Sequence, residues 1–339
     1  MTHTRRWYFN KRPTRSIEDD TFELREQTLP PLAEGELLLR SIYLSMDATN
    51  RLWLGDWDLY MDPVLPGEPM KGFTLCEVVA SRNSAFAVGS LAAGLAPWSD
   101  YSISDGSGLM PVPRIPGLAL ADAFGVLAVA GPTALVGLME IGRPQPGATV
   151  VVTAAAGAVG MLVGQIAKIH GCKTIGIAGG PDKCAALVER FGYDHAIDYK
   201  REDVVARLRA LAPDGVDVHF ENVGGEMLDA GLTVMKNFGS VVICGLISTY
   251  NSTAGDRIPG PYMFRNVIMR RLRVEGFVIL DYLDRYPQYQ AQLAGWMLEG
   301  KLRYRLDVTD GLDNAVGALK MLYTGANNGK VLVQIGSEH

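Results

Sequence analysis

Two textures of hydrophobic and polar patterning meet near residue 120. Before it, short runs of β character, Glu36–Ile42, Thr74–Ala80 and Ala96–Ile103, are separated by Pro and Gly. Short strands broken by frequent turns predict an all-β or barrel-like unit. Beyond it, apolar segments alternate with helical patterns. Thr149–Ala154 reads as a buried strand, and Ala158–His170 as a helix with apolar residues at helical spacing.

The alternation then repeats. Lys173–Ala178, His195–Asp198, Val216–Phe220 and Ser240–Cys244 read as strands, and Arg273–Ile279 as a sixth. Between them Asp182–Phe191, Glu202–Leu211 and Glu226–Met235 carry the helical period. Val/Ile-rich strands joined by helices predict an α/β fold with a parallel sheet covered on both faces. Six such strands predict the doubly wound dinucleotide (Rossmann) fold, with its ligand at the carboxyl ends of the strands. The last stretch, Asp307–Ile335, again reads as strand-rich and is expected to return to the first unit. There is no internal repeat and no low-complexity segment.

The run Val150-Val-Val-Thr-Ala-Ala-Ala-Gly-Ala-Val-Gly160 passes from strand to helix through small residues. Gly157 lets backbone approach a pyrophosphate, and Gly160 lets the helix pack on the sheet, with Ala158 and Val159 completing the turn. Ala155 replaces the first glycine of the usual fingerprint. An NAD enzyme wants an acidic residue about 20 positions on, at the end of the second strand. Here that strand ends Ala178-Gly179-Gly180, with Lys183 just beyond. A missing carboxylate and an added cation favour a 2′-phosphate, hence NADPH.

At 339 residues two domains are expected. A hydrophobic share of 48% with 20% charged residues is globular composition, and a net charge of −5 argues against a nucleic-acid binder. The basic run Arg270, Arg271, Arg273 reads as a solvated face. No apolar core follows the polar, basic first fifteen residues, so no signal peptide is read and a cytoplasmic location is expected. The longest apolar stretches are broken by Gly, Pro or charge, which argues against a membrane span. Cys76, Cys172, Cys184 and Cys244 are too scattered for a disulfide framework or a metal knuckle. Of five scattered histidines, only His219 falls inside the sheet, where a hydrogen-bonded core role is expected. Metal-free chemistry follows, and no G-x-S-x-G elbow marks a hydrolase.

The chain resembles zinc-independent medium-chain dehydrogenase/reductases of the prostaglandin reductase and leukotriene B4 12-hydroxydehydrogenase type, above all the bacterial NADPH-dependent curcumin reductases and plant double-bond reductases. The resemblance rests on Leu44-Ser-Met-Asp47 with Arg51, Gly67-Glu-Pro-Met-Lys-Gly72, Ala154-Ala-Ala-Gly-Ala-Val-Gly160 and Glu221-Asn-Val-Gly-Gly225. Cys244-Gly-Leu-Ile-Ser-Thr-Tyr-Asn251, Val274-Glu-Gly-Phe277 and Asn327-Asn-Gly-Lys330 extend it over the whole length. It implies a GroES-like β-barrel domain over 1–123, completed by 305–339, and a Rossmann NADP-binding domain over 124–304, with the active site between them. It implies cofactor contacts at Gly179, Lys183, Tyr199, Asn222, Cys244, Ile247 and Asn327, and homodimers. Two departures stand out. Asp47-Ala-Thr-Asn50 replaces a common Asp-Pro-Tyr-Met, and Leu280 stands where enzymes acting on leukotrienes tend to carry an aromatic residue.

The chemistry implied by the resemblance is reduction of the carbon–carbon double bond of α,β-unsaturated ketones or aldehydes, with hydride to the β-carbon and a proton to the α-carbon. A donor to the developing oxyanion and a proton source are required. Tyr250, after the fifth strand, and Tyr60, before Gly67, are the candidates. Asn50, Trp53, Tyr262, Met263 and Leu280 are expected around the substrate. A quinone reductase of the same superfamily, or a non-catalytic NADPH-binding sensor, would share most of these features.

Overall fold

A computed structural model describes residues 1–253 and 255–338. The N-terminal third holds an antiparallel pair, β1 (His3–Phe9) with β2 (Phe22–Thr28), and the strands β3 (Leu37–Ser45), β4 (Lys71–Ser81), β5 (Leu91–Pro97), β6 (Tyr101–Ser104) and β7 (Met110–Pro111). A one-turn helix, α1 (Thr49–Leu52), follows β3. Apolar alternation buries Leu37 and Leu39 with Cys76 and Val78 in one cluster, which sets the register of β3 on β4. Ala96–Ile103, expected as one strand, is two: Pro97 ends β5, and Ser99 and Asp100 turn the chain before β6 pairs with β3.

The stretch 120–142 runs helically through α2 (Leu120–Leu127), α3 (Ala130–Val136) and a π-turn at Gly137–Gly142. It is long and apolar enough to cross a membrane, but most of it is buried. Val126, Ala134 and Leu138 pack against Val150, Val152 and Phe220. A methyl at Gly137 would come within 2.7 Å of both Phe220 and Phe277, so glycine admits the two rings.

The second sheet contains β8 (Thr149–Val152), β9 (Lys173–Ala178), β10 (His195–Asp198), β11 (Val216–Glu221), β12 (Met235–Ile243) and β13 (Arg273–Gly276). All pairings are parallel, in the order β10-β9-β8-β11-β12-β13. This is the doubly wound order, with its switch point between β8 and β11. The connecting helices are α4 (Gly160–Ile169), α5 (Pro181–Glu189), α6 (Val204–Leu211) and α7 (Gly225–Val234), while α8 (Asn266–Met269) is a single turn before β13. Helix α4 starts two residues later than its apolar period suggests, because Ala158 and Val159 belong to the turn. Arg273 is no solvated residue: its guanidinium donates to the carbonyls of Ile141 and Gly142 and to Ser240 Oγ.

Helix α9 (Tyr286–Leu298) packs on α3, and the chain then returns to the first sheet. The segment 307–335 is less strand-rich than expected. Between β14 (Leu306–Asp310) and β15 (Lys330–Gln334) lies a helix, α10 (Ala315–Thr324). The two strands pair in parallel, and parallel neighbours need such a crossover. Strand β15 then pairs with β3, so the seven-stranded sheet joins both ends of the chain.

Candidate active site

The loops after β8, β9, β10, β11 and β12 all leave from the carboxyl edge of the parallel sheet, and most of the expected cofactor residues lie on them. Thr153 is fully buried, and Ala154 turns the chain with φ of 47°, the left-handed region that non-glycine residues occupy at a cost. The Ala155 amide donates to Ile177 O at 3.0 Å. Ala155 fits in place of a glycine because Gly176 faces it: a methyl there would meet the Ala155 methyl carbon at 2.9 Å. At Gly160 an added methyl would come within 2.5 Å of Ala154 O and 2.7 Å of Ala155 Cα. Gly157, Ala158 and Val159 are half-buried ahead of α4 and Gly160 is buried against the turn, a strand-to-helix loop at a helix N-terminus that fits a pyrophosphate.

The adenosine end is cationic. A methyl on Gly179 would lie 2.9 Å from both Tyr199 Cε1 and Lys200 Cε, so the two side chains converge over this glycine. Lys183 reaches across to donate to Gly325 O at 2.8 Å, which ties α5 to the loop carrying Asn327. Burial, and then the charge of Lys200, hold Lys183 below the usual lysine range. Two carboxylates lie near by: Asp307 acts on Lys183 electrostatically, and Asp198 holds the backbone, its Oδ1 accepting the amides of Gly180 at 2.8 Å and Lys200 at 3.1 Å. Lys200 over the glycine, with Lys183 within electrostatic reach of it, fits a 2′-phosphate. Lys200 was not singled out from the sequence, although it directly follows Tyr199.

Nearer the centre of the sheet, Asn222 joins β8 to β11, its amide donating to Thr153 Oγ1 and its Nδ2 to Thr153 O, each at 2.8 Å. The Ile247 amide donates to Asn222 O at 3.2 Å. Cys244 lies just after β12, where burial and then the charge of Glu221 push its thiol up to about 12. Asn327 holds its own loop by donating to Gly329 O at 3.0 Å.

Two phenols meet on the substrate side. Tyr250 follows the short turn Ile247–Thr249, and its hydroxyl oxygen accepts the Leu246 amide at 3.1 Å. The Tyr60 oxygen accepts from Trp53 Nε1 at 3.1 Å. Each tyrosine is therefore an acceptor to the protein and retains its own proton for a ligand. Burial raises the pKa of both, and the two are close enough to interact electrostatically. Tyr323, a neighbour of Tyr250, differs: it donates its proton to Ala48 O at 2.6 Å. Trp57 Nε1 donates to Ser252 O at 3.3 Å, so the loop after α1 touches the loop after β12. Residues 57–63 and Lys71 line an open cavity of about 570 Å³ beside Tyr60.

The residues expected around a substrate do not gather at one place. Trp53 supports Tyr60. Asn50 is fully buried, and its Oδ1 accepts the Asp47 amide at 2.9 Å, so it builds the turn before α1 rather than a pocket wall. Met263 packs on the core face that carries Ile177 and Leu232. Tyr262 is 84% exposed and Leu280 lies at the surface. His219 takes the expected core position and contacts Glu221. Among the described residues, no group of three or more His, Cys, Asp or Glu is placed to hold a metal ion.

Residues 5–112 match the family model of the N-terminal domain of oxidoreductases, and residues 158–295 match that of zinc-binding dehydrogenases. The NADPH-dependent curcumin reductase of Escherichia coli is 37% identical, over 98% of this chain and 97% of its own. The 2-alkenal reductase (NADP(+)-dependent) of Nicotiana tabacum is 36% identical, over 95% and 94%. CurA from Vibrio vulnificus, solved in complex with NADPH, superposes with a TM-score of 0.91 at 37% identity, over 98% of this chain and 100% of that one. The chain belongs to the zinc-independent medium-chain dehydrogenase/reductase family, alongside the curcumin, prostaglandin and 2-alkenal reductases.

Proposed function

We propose that the protein uses NADPH to reduce the carbon–carbon double bond of α,β-unsaturated ketones and aldehydes. The observation that carries this reading is the pair of tyrosine hydroxyls, each accepting from a protein N–H and so able to donate to a ligand, beside a cradle suited to NADPH. The names of the relatives, a curcumin reductase and a 2-alkenal reductase, support it. Bound NADPH supplies the hydride that the β-carbon receives. Tyr250 donates a hydrogen bond to the carbonyl oxygen as negative charge develops there, in a site where fixed donors act more strongly than in water. Tyr60, braced by Trp53, is the second donor. The phenols, whose ordinary pKa is about 10, are protonated at neutral pH, and burial pushes both further up. The α-carbon takes its proton from this hydroxyl side. Turnover of an enone and a quinone, side by side with NADPH, tests the reading: faster enone reduction supports it, and reduction of the quinone alone makes the protein a quinone reductase.

The homodimer implied by the resemblance we assign to the β13 edge of the six-stranded sheet. That strand pairs on one side only, and near it Phe238, Ile268 and Met269 are 73%, 74% and 60% exposed. An unpaired edge beside apolar side chains suits a two-fold contact. A chain that sediments as a monomer would remove this assignment.

A further inference from the structure

Beneath the cofactor cradle lies a buried, hydrogen-bonded pair that the reduction does not use. Glu221, the last residue of β11, and His219, two residues earlier, are both fully buried. Glu221 Oε2 accepts from His219 Nε2 at 2.6 Å. Its Oε1 accepts the Thr153 hydroxyl at 2.9 Å, the Gly224 amide at 2.8 Å and the Val223 amide. Its backbone oxygen accepts the amides of Cys244 at 2.9 Å and Gly245 at 3.1 Å. The loops leaving three adjacent strands, β8, β11 and β12, thus converge on one residue.

Burial alone would raise the Glu221 pKa; His219 and the Val223 and Gly224 amides outweigh it and keep the carboxyl below its usual range. The space for this arrangement is specific. A methyl on Gly231 would come within 2.4 Å of the imidazole, so glycine at this place in α7 lets the ring lie against the helix.

We propose that Glu221, hydrogen-bonded to His219, Thr153 and the Val223 and Gly224 amides, is the positioning residue of the cofactor cradle, fixing the glycine turn and the Asn222–Gly225 turn as one preformed surface. Without it, the Thr153 hydroxyl and two sheltered amides lose their shared acceptor, and the two turns open independently. A cofactor then has to order them on binding, which weakens affinity without altering any group that touches it. This inference rests on the NADPH reading for its binding arm alone.

The experiment compares Glu221→Ala, Glu221→Gln and Thr153→Val in the full-length chain. NADPH dissociation constants come from fluorescence titration, and amide hydrogen exchange is followed in the unliganded protein. Glu221→Ala is expected to weaken NADPH by about tenfold to a hundredfold, the range for losing bonds to a charged acceptor. Glu221→Gln keeps a carbonyl acceptor and recovers part of the loss. Thr153→Val weakens binding too, and adds little once Glu221 is already Ala, because the two remove the same link. The KM for an enone at saturating NADPH stays unchanged. In the unliganded Glu221→Ala protein, exchange quickens in both 153–160 and 222–226. Folded variants that bind NADPH within twofold of the unaltered chain would overturn the proposal, as would faster exchange confined to 222–226. Should Glu221→Ala fail to fold, Glu221→Gln and Thr153→Val decide the matter. Failure of the unaltered chain to bind NADPH would instead overturn the cofactor reading, and the exchange data would still judge the coupling of the turns.

Discussion

Removing the Lys183 ammonium by Lys183→Ala tests the cofactor preference most sharply. A hydrogen bond to a charged group contributes about 1.5–3 kcal/mol, and each 1.36 kcal/mol is tenfold, so NADPH affinity should fall about 10- to 150-fold. Lys200, close enough to Lys183 to act on it electrostatically, retains part of the attraction, which places the single variant toward the lower end. The substitution also removes the bond from Lys183 to Gly325 O. That loss affects NADH and NADPH alike, so the ratio of the two dissociation constants isolates the 2′-phosphate. The assay is titration of both cofactors, repeated at rising salt, where screening should shrink the NADPH advantage. Because burial and Lys200 hold Lys183 below the usual lysine range, NADPH affinity should decline on the alkaline side earlier than a free lysine would dictate, with NADH unaffected. Equal losses for the two cofactors would refute the reasoning.

Three further outcomes follow from individual contacts. Gly160→Ala forces a methyl against backbone atoms at 2.5–2.9 Å and should destabilise the fold by about 1–3 kcal/mol, measured by denaturant unfolding, with NADPH binding weakened as well. Tyr250→Phe should reduce kcat by about a hundredfold while leaving the NADPH dissociation constant unchanged; equal turnover would remove Tyr250 from the mechanism. Asp194 accepts Lys168 Nζ at 2.6 Å and the Thr174 amide at 2.8 Å. Against the upward pull of burial, these partners lower its pKa. Its stabilisation is therefore present above the unfolded carboxylate value, about 3.9, and disappears as pH falls through the folded value. Discounted for partial exposure, Asp194→Asn should cost about 1 kcal/mol or less near pH 7 and nothing in strong acid.

The periodic half of the fold was readable because its central strands, β8 and β9, are buried runs rich in Val and Ile, and helical patterns separate the strands that follow. The order of the strands follows from their parallel connections. Less readable were the features set by distant partners. The helix Ala315–Thr324 was hidden because the strands around it suggested one continuous β stretch, and the need for a crossover emerges only once β14 and β15 are seen to be parallel. Ala155 stood out as a defect in the glycine fingerprint, yet its tolerance is decided by Gly176, on the neighbouring strand. The tyrosines were recognised by type. What separates Tyr60 and Tyr250 from Tyr323 is the direction of their hydrogen bonds, which no spacing reveals. Asn50 and Met263 were polar or apolar enough for a pocket, and packing assigned them elsewhere.

The central claim is that hydride reaches the β-carbon of an enone. Reduction of an α,β-unsaturated ketone with NADPH deuterated at the transferred C4 position, followed by NMR of the product, tests it directly. The account predicts a saturated ketone with deuterium on the β-carbon and its carbonyl intact. Deuterium on the carbonyl carbon of an allylic alcohol would contradict it and make the protein an alcohol dehydrogenase.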